Sequence, residues 1–227
     1  MSTSKLLALS AAVALAATAA GAIELRGRVI LEKDAGASRQ TRGVLVYYLP
    51  ADRGSPPAIK VPDEPFRVVT VRKEFNPRSL IVPVGATVRF PNQDNILHNV
   101  FSLSGSNRFD LGLYRRGEGE EVTFDAAGVV RIYCNVHHSM VAYVVVVETP
   151  FYTIVGADSG FTLTGLPPGR GKLTVWHERS EPLEIDLELP RMGPLDLHLE
   201  FSKPRIPRHR NKFGKPYSRR RGGRDYG

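Results

Sequence analysis

Short runs rich in β-branched and aromatic residues recur along this chain about every ten positions, and after residue 22 no stretch keeps a helical period. Residues 23–31, 44–49, 67–72, 87–90, 129–133, 141–148, 161–164, 172–177 and 183–189 are the clearest runs. Gly, Pro, Asn and Asp punctuate them, as at Pro77, Gly85, Pro91-Asn92, Gly105 and Pro167-Pro168-Gly169. A chain written this way has few ways to bury its apolar side chains. The pattern predicts an all-β fold of sandwich or barrel type.

Residues 1–22 have the layout of a secretory signal peptide: Lys5, an apolar stretch over 6–20, and small residues at Ala20-Gly21-Ala22. The expected mature chain begins at Ile23, and the expected location is the periplasm. The apolar run 141–147 is too short to cross a bilayer. Export invites disulfides, yet Cys134 is the only cysteine of 227 residues. A lone thiol in an exported chain calls for another explanation, and metal ligation supplies one.

Charge is unevenly spread. The chain carries a net +8, while residues 202–227 alone hold ten Lys or Arg and one acid, so the preceding body has a slight negative excess. The tail is expected to be disordered, since it has little apolar surface to offset its ordering entropy. Residues 51–65, rich in Pro, Gly and charge, read as a linker. Residues 66–149 form one block that holds every candidate ligand. Residues 23–50 and 150–201 each lack enough apolar residues for a core alone, so they are expected to pair into one discontinuous small β-sandwich with the larger block inserted between them.

The chemistry concentrates in residues 133–140, Tyr-Cys-Asn-Val-His-His-Ser-Met. Cys134, His137 and Met140 fall at intervals of three, on the six-residue connection between strands expected at 129–133 and 141–147. His98, 36 positions upstream, can approach from another strand end. Two imidazoles, one thiolate and a weak thioether are the donor set of a trigonal copper site with a long axial methionine, and zinc could occupy the same donors. His138 could replace His137; the preferred reading turns His138 to solvent.

These motifs resemble the cupredoxin family, its plastocyanin and amicyanin group. The resemblance spans residues 75–148. It rests on Val82-Pro83-Val84-Gly85, on Val88-Arg89-Phe90-Pro91-Asn92, on His98-Asn99-Val100 and on the C-x2-H-x2-M loop, whose spacing is similar to that of amicyanin and shorter than that of plastocyanin. It implies a Greek-key β-sandwich and one type 1 copper ion held by His98, Cys134, His137 and Met140. It further implies that Asn99 hydrogen-bonds the ligand loop near Cys134. Electrons would then leave through the exposed edge of His137, inside an apolar docking patch that includes Val136. Residues 158–169 with 172–177, together with Gly27-Arg28-Val29 and 43–49, resemble the carboxypeptidase regulatory-like β-sandwich. The combination resembles exported proteins labelled methylamine utilisation proteins.

Enzyme signatures are lacking. Gly169-Arg-Gly-Lys172 is not a phosphate loop, because Leu166 stands where the first glycine belongs. Asp94 and Asp110 read as loop residues, and His177 as a strand-end residue. The expected function is one-electron transfer by a copper protein that is not an enzyme, with a cytochrome or dehydrogenase as redox partner. Copper delivery, storage or sensing is the first alternative, and a structural or carbohydrate-binding sandwich the second. The basic tail is expected to meet an anionic membrane surface or an acidic partner rather than nucleic acid.

Overall fold

A computed structural model describes residues 23–32, 43–52, 58–203 and 207–217. The expected signal peptide at 1–22 lies outside the described residues. Among the described residues every regular element is a strand. Before the linker come β1 (Ile23–Leu31) and β2 (Leu45–Pro50). The central block holds β3 (Phe66–Arg67), β4 (Val69–Val71), β5 (Glu74–Asn76), β6 (Ser79–Pro83), β7 (Ala86–Asn92), β8 (His98–Ser104), β9 (Asn107–Tyr114), β10 (Gly117–Phe124), β11 (Gly128–Tyr133) and β12 (Val141–Val147). After it follow β13 (Tyr152–Ile154), β14 (Gly160–Leu166), β15 (Gly169–Trp176), β16 (Leu183–Leu189) and β17 (Leu195–Leu199).

Two sheets enclose the core of the central block. One runs β10-β7-β4-β5 with β3 also on β7, and the other runs β6-β12-β11-β8-β9. Their facing side chains, among them Val88, Phe90, Val100, Phe124, Ile132 and Val144, form a continuous buried cluster. A second pair of sheets, β14-β1-β17 and β13-β2-β15-β16, draws strands from both sides of the block. Its core joins Leu25, Val29, Val46 and Tyr48 to Phe161, Leu163, Leu173 and Leu197. β1 buries every second residue, Leu25, Gly27 and Val29, as a strand with one solvated face should.

The two units share a third cluster, which includes Leu45, Phe101, Tyr133, Tyr143, Val145 and Trp176. This explains the unbroken apolar run of β12. Ala142, Val144 and Val146 point into the block's own core, while Val141, Tyr143, Val145 and Val147 point into the shared cluster, so neither face meets water. A salt bridge spans the same boundary, Arg78 Nε to Glu178 Oε1 at 2.5 Å.

The strand expected over 67–72 is broken. It divides into β3 and β4 and ends at Arg72 and Lys73, whose φ values are 55° and 58°. Val71 pairs with Glu74, so Arg72-Lys73 is a two-residue hairpin turn with both residues in the left-handed region. Asn-Gly is the usual choice there; what offsets the strain here lies at the metal centre.

Residues 207–217 belong to the tail that is expected to be disordered. They lie across the ligand-bearing end of the central block, through contacts of His209, Lys212 and Tyr217 that composition alone does not reveal. The rest of the tail beyond 217 is outside the described residues.

Candidate metal centre

Three side chains converge at one pole of the central sandwich. β8 begins at His98, β11 ends one residue before Cys134, and His137 lies in the connection to β12. His98 Nδ1 is 3.8 Å and His137 Nδ1 4.0 Å from Cys134 Sγ. One donor atom from each of the three residues falls within 4.8 Å of the other two. Cys134 and His98 are fully buried, while His137 is half-buried. Two imidazole nitrogens and a cysteine sulfur so placed, with one imidazole toward the surface, suit a thiophilic ion such as copper or zinc.

Backbone contacts hold the loop tight. Met140 N donates to His137 O at 3.0 Å, and Cys134 N to Met140 O at 3.4 Å. Met140 is 1% exposed and belongs to the same core cluster as Cys134. His138 is exposed and outside the converging trio.

Asn99 binds on two sides. Its Oδ1 accepts from Asn135 N at 3.3 Å, and its Nδ2 donates to Asp110 Oδ1 at 2.7 Å and to Gly112 O at 2.8 Å. Asp110 also receives Lys212 Nζ at 2.7 Å. Burial opposes ionisation of Asp110, but Lys212, Asn99 and the Gly112 amide outweigh it and hold its pKa below the ordinary carboxylate value.

The sequence reading passed over Asp94, whose Oδ2 lies 2.9 Å from His98 Nε2. The contact leaves Nδ1 of His98 as the nitrogen facing Cys134, the arrangement by which a carboxylate fixes the tautomer of a ligating histidine. Asp94 also accepts the amide protons of Arg72 at 2.6 Å and Lys73 at 2.9 Å, which offsets the strain of that turn. Burial raises its pKa, yet these amides and His98 prevail and the net shift is downward. For His98, burial favours the neutral ring and Asp94 restores only part of the loss, so its pKa lies below the ordinary histidine value. The only trace of Asp94 in the sequence is its place four residues before His98 in a polar turn.

The tail segment also went unseen. The His209 ring stacks on Tyr133 at 4.0 Å and 11°, and its Nε2 lies 2.9 Å from His138 O. The Tyr217 and His138 rings are 3.6 Å apart. Lys212 N donates to Asn135 Oδ1 at 3.1 Å. The Tyr217 hydroxyl is buried without a hydrogen-bond partner among the described residues, and burial, then Cys134 and Tyr133, push its pKa up to about 12.

Neither a family model nor a curated protein matches the chain. Solved structures similar to it include a purple cupredoxin from Nitrosopumilus maritimus, at 26% identity and TM-score 0.33, covering 36% of this chain and 99% of that one. A reduced amicyanin variant is similar at 27% identity and TM-score 0.35, covering 44% and 99%. A copper-containing nitrite reductase from Thermus scotoductus SA-01 is similar at 26% identity and TM-score 0.37, covering 44% of this chain but only 27% of the reductase. With TM-scores of this size, the reading of the metal centre rests on its own geometry: an all-β chain that gathers two imidazoles and its single thiol at one sandwich pole.

Proposed function

We propose that this chain is an exported type 1 copper protein that carries single electrons in the periplasm and catalyses no reaction of its own. The observation that supports this most is the trio His98, Cys134 and His137, one donor atom each within 4.8 Å. These residues would hold the ion, with the thioether of Met140 as a further, weak donor. When bound, copper supplies the one-electron couple. The chain's own part is to keep the donors fixed. His98 is oriented by Asp94, the Cys134 loop is tied by Asn99 and by Met140 N to His137 O, and all of it hangs on strands packed in one core. Donors that cannot relax between oxidation states keep the reorganisation cost of electron transfer low. Half-buried His137 is the route out, and a cytochrome or dehydrogenase is the class of partner that would use it.

Absorption of the Cu(II)-loaded mature protein tests the reading. An intense visible thiolate-to-copper band is expected, bleached by reductant, restored by oxidant, and absent from a folded Cys134→Ala variant. A loaded wild-type protein without such a band would refute the proposal. A band with an irreversible couple would move the function to copper delivery or storage.

A further inference from the structure

We propose that residues 207–217 build a cationic rim around the metal pole, which makes that pole the docking surface for an acidic redox protein. The inference rests on the electron-carrier reading above and adds the chemistry of the partner. Among the described residues, four of the nine exposed large apolar side chains belong to elements surrounding the trio: Leu97, Leu113, Val136 and Phe213. Leu97 precedes His98, Leu113 pairs in register with Asn99, and Val136 lies between Cys134 and His137. Phe213 is brought there by the tail, because its neighbour Lys212 is fastened to Asn135 and Asp110. Apolar groups gathered at one end of a soluble fold mark a contact surface.

The rim decides the partner's charge. Residues 207–217 contain Arg208, Arg210, Lys212 and Lys215 and no acid. The segment is held by the stack of His209 on Tyr133 and the tilted ring contact of Tyr217 with His138, so it is fixed against the ligand-bearing end rather than averaged over a solvated chain; Lys212 pairs with Asp110, and Arg208 and Arg210 line the groove that runs from Tyr133 along the flank. Arg115 and Arg116, exposed beyond Tyr114, continue the rim from the block itself, and Tyr114 pairs with His98. The body before residue 202 has a slight negative excess, so the positive excess of the chain is carried by the tail. A positive rim around an apolar centre steers an acidic partner to the point where His137 approaches the surface.

The experiment uses the full-length, copper-loaded protein, with one acidic and one basic cytochrome of matched potential. Raising ionic strength from about 10 to about 200 mM cuts the screening length from ~30 Å to under ~10 Å. The rate constant with the acidic cytochrome should fall by about tenfold or more, and that with the basic one should stay level or rise. Arg210→Glu with Lys215→Glu should slow the acidic reaction at low salt by about tenfold while leaving oxidation by a small neutral reagent unchanged. A zinc-substituted form of the acidic cytochrome, which exchanges no electrons, should bind the wild type and not the double variant. That arm tests docking independently of the electron-carrier reading, which the visible band and the small reagent test instead. A salt-independent acidic reaction, or unaltered binding by the double variant, would overturn the proposal. So would a faster reaction of a chain ending at residue 206, the result expected of a cover; among the described residues the three cores contain none beyond 199, so that chain keeps them. Salt-sensitive, tail-dependent binding to phosphatidylserine vesicles without binding of the zinc cytochrome would assign the rim to a membrane and overturn it equally.

Discussion

Asp94 Oδ2 lies 2.9 Å from His98 Nε2, and the same carboxylate accepts the amides of two left-handed residues, Arg72 and Lys73. One side chain thereby fixes a hairpin turn from one sheet and a histidine ring from the other. Asp94→Ala removes both restraints. Copper affinity should fall by about 10- to 100-fold, as measured by competition with a chelator. The metal-free protein should also melt lower, because Arg72 and Lys73 keep their strained φ values without the acceptor that offsets them. Unchanged affinity would show that the ring is oriented without the carboxylate.

The pH dependence of the metal-free protein follows from His98. Burial, partly countered by Asp94, lowers the folded-state pKa of this imidazole below its ordinary 6.5. The unfolded chain therefore takes up the proton first. The contribution is fully present above pH 6.5 and is lost as pH falls below it, with a slope approaching about 1.4 kcal/mol per pH unit. Asp94 and Asp110, depressed from 3.8, add to the loss only at more acid pH. Denaturant midpoints taken across the range from neutral pH to about 5 should decline in the wild type and flatten in His98→Gln.

Gly119 sits where β10 bulges against β7, between Gly117 and Glu120, at φ +73°. A Cβ there would stand 1.9 Å from Phe90 O, a backbone atom with little freedom to move. Gly119→Ala should cost on the order of 2 kcal/mol or more. Gly105→Ala, at φ +42° with nothing near its Cβ position, should cost less. Chemical denaturation of the two variants gives the comparison, and equal costs would show that the bulge relaxes.

Met140 is buried beside Cys134 and closes the ligand loop through its backbone, so Met140→Leu retains the packing volume and both loop hydrogen bonds. The variant should keep the visible band and show a raised reduction potential in voltammetry, since only the thioether, the weakest of the four donors, is gone. Loss of the band would mean that the thioether holds the ion rather than tunes it.

Much of this architecture was legible because it is local. Apolar alternation in β1 and the continuous apolar run of β12 are written directly in residues 23–31 and 141–147. β8, β9 and β10 were less legible: β10 is polar and mostly exposed, so it lacks the apolar contrast that marks a strand, and β9 is only partly buried along its length. The Arg72-Lys73 turn carries no Asn-Gly signal, because its stabiliser lies 21 and 22 positions away.

The order of residues by itself determined an all-β chain and the intervals that place Cys134, His137 and Met140 on one short loop, since spacing along a strand and its turn is a property of neighbours. Only the tertiary structure decided that Asp94 orients His98, that Asp110 anchors both Asn99 and Lys212, and that His209 and Tyr217 come to rest on Tyr133 and His138. Those partners are joined by folding across separate strands and a distant tail, and hydrogen bonds and ring contacts between remote segments leave no period in the chain that makes them.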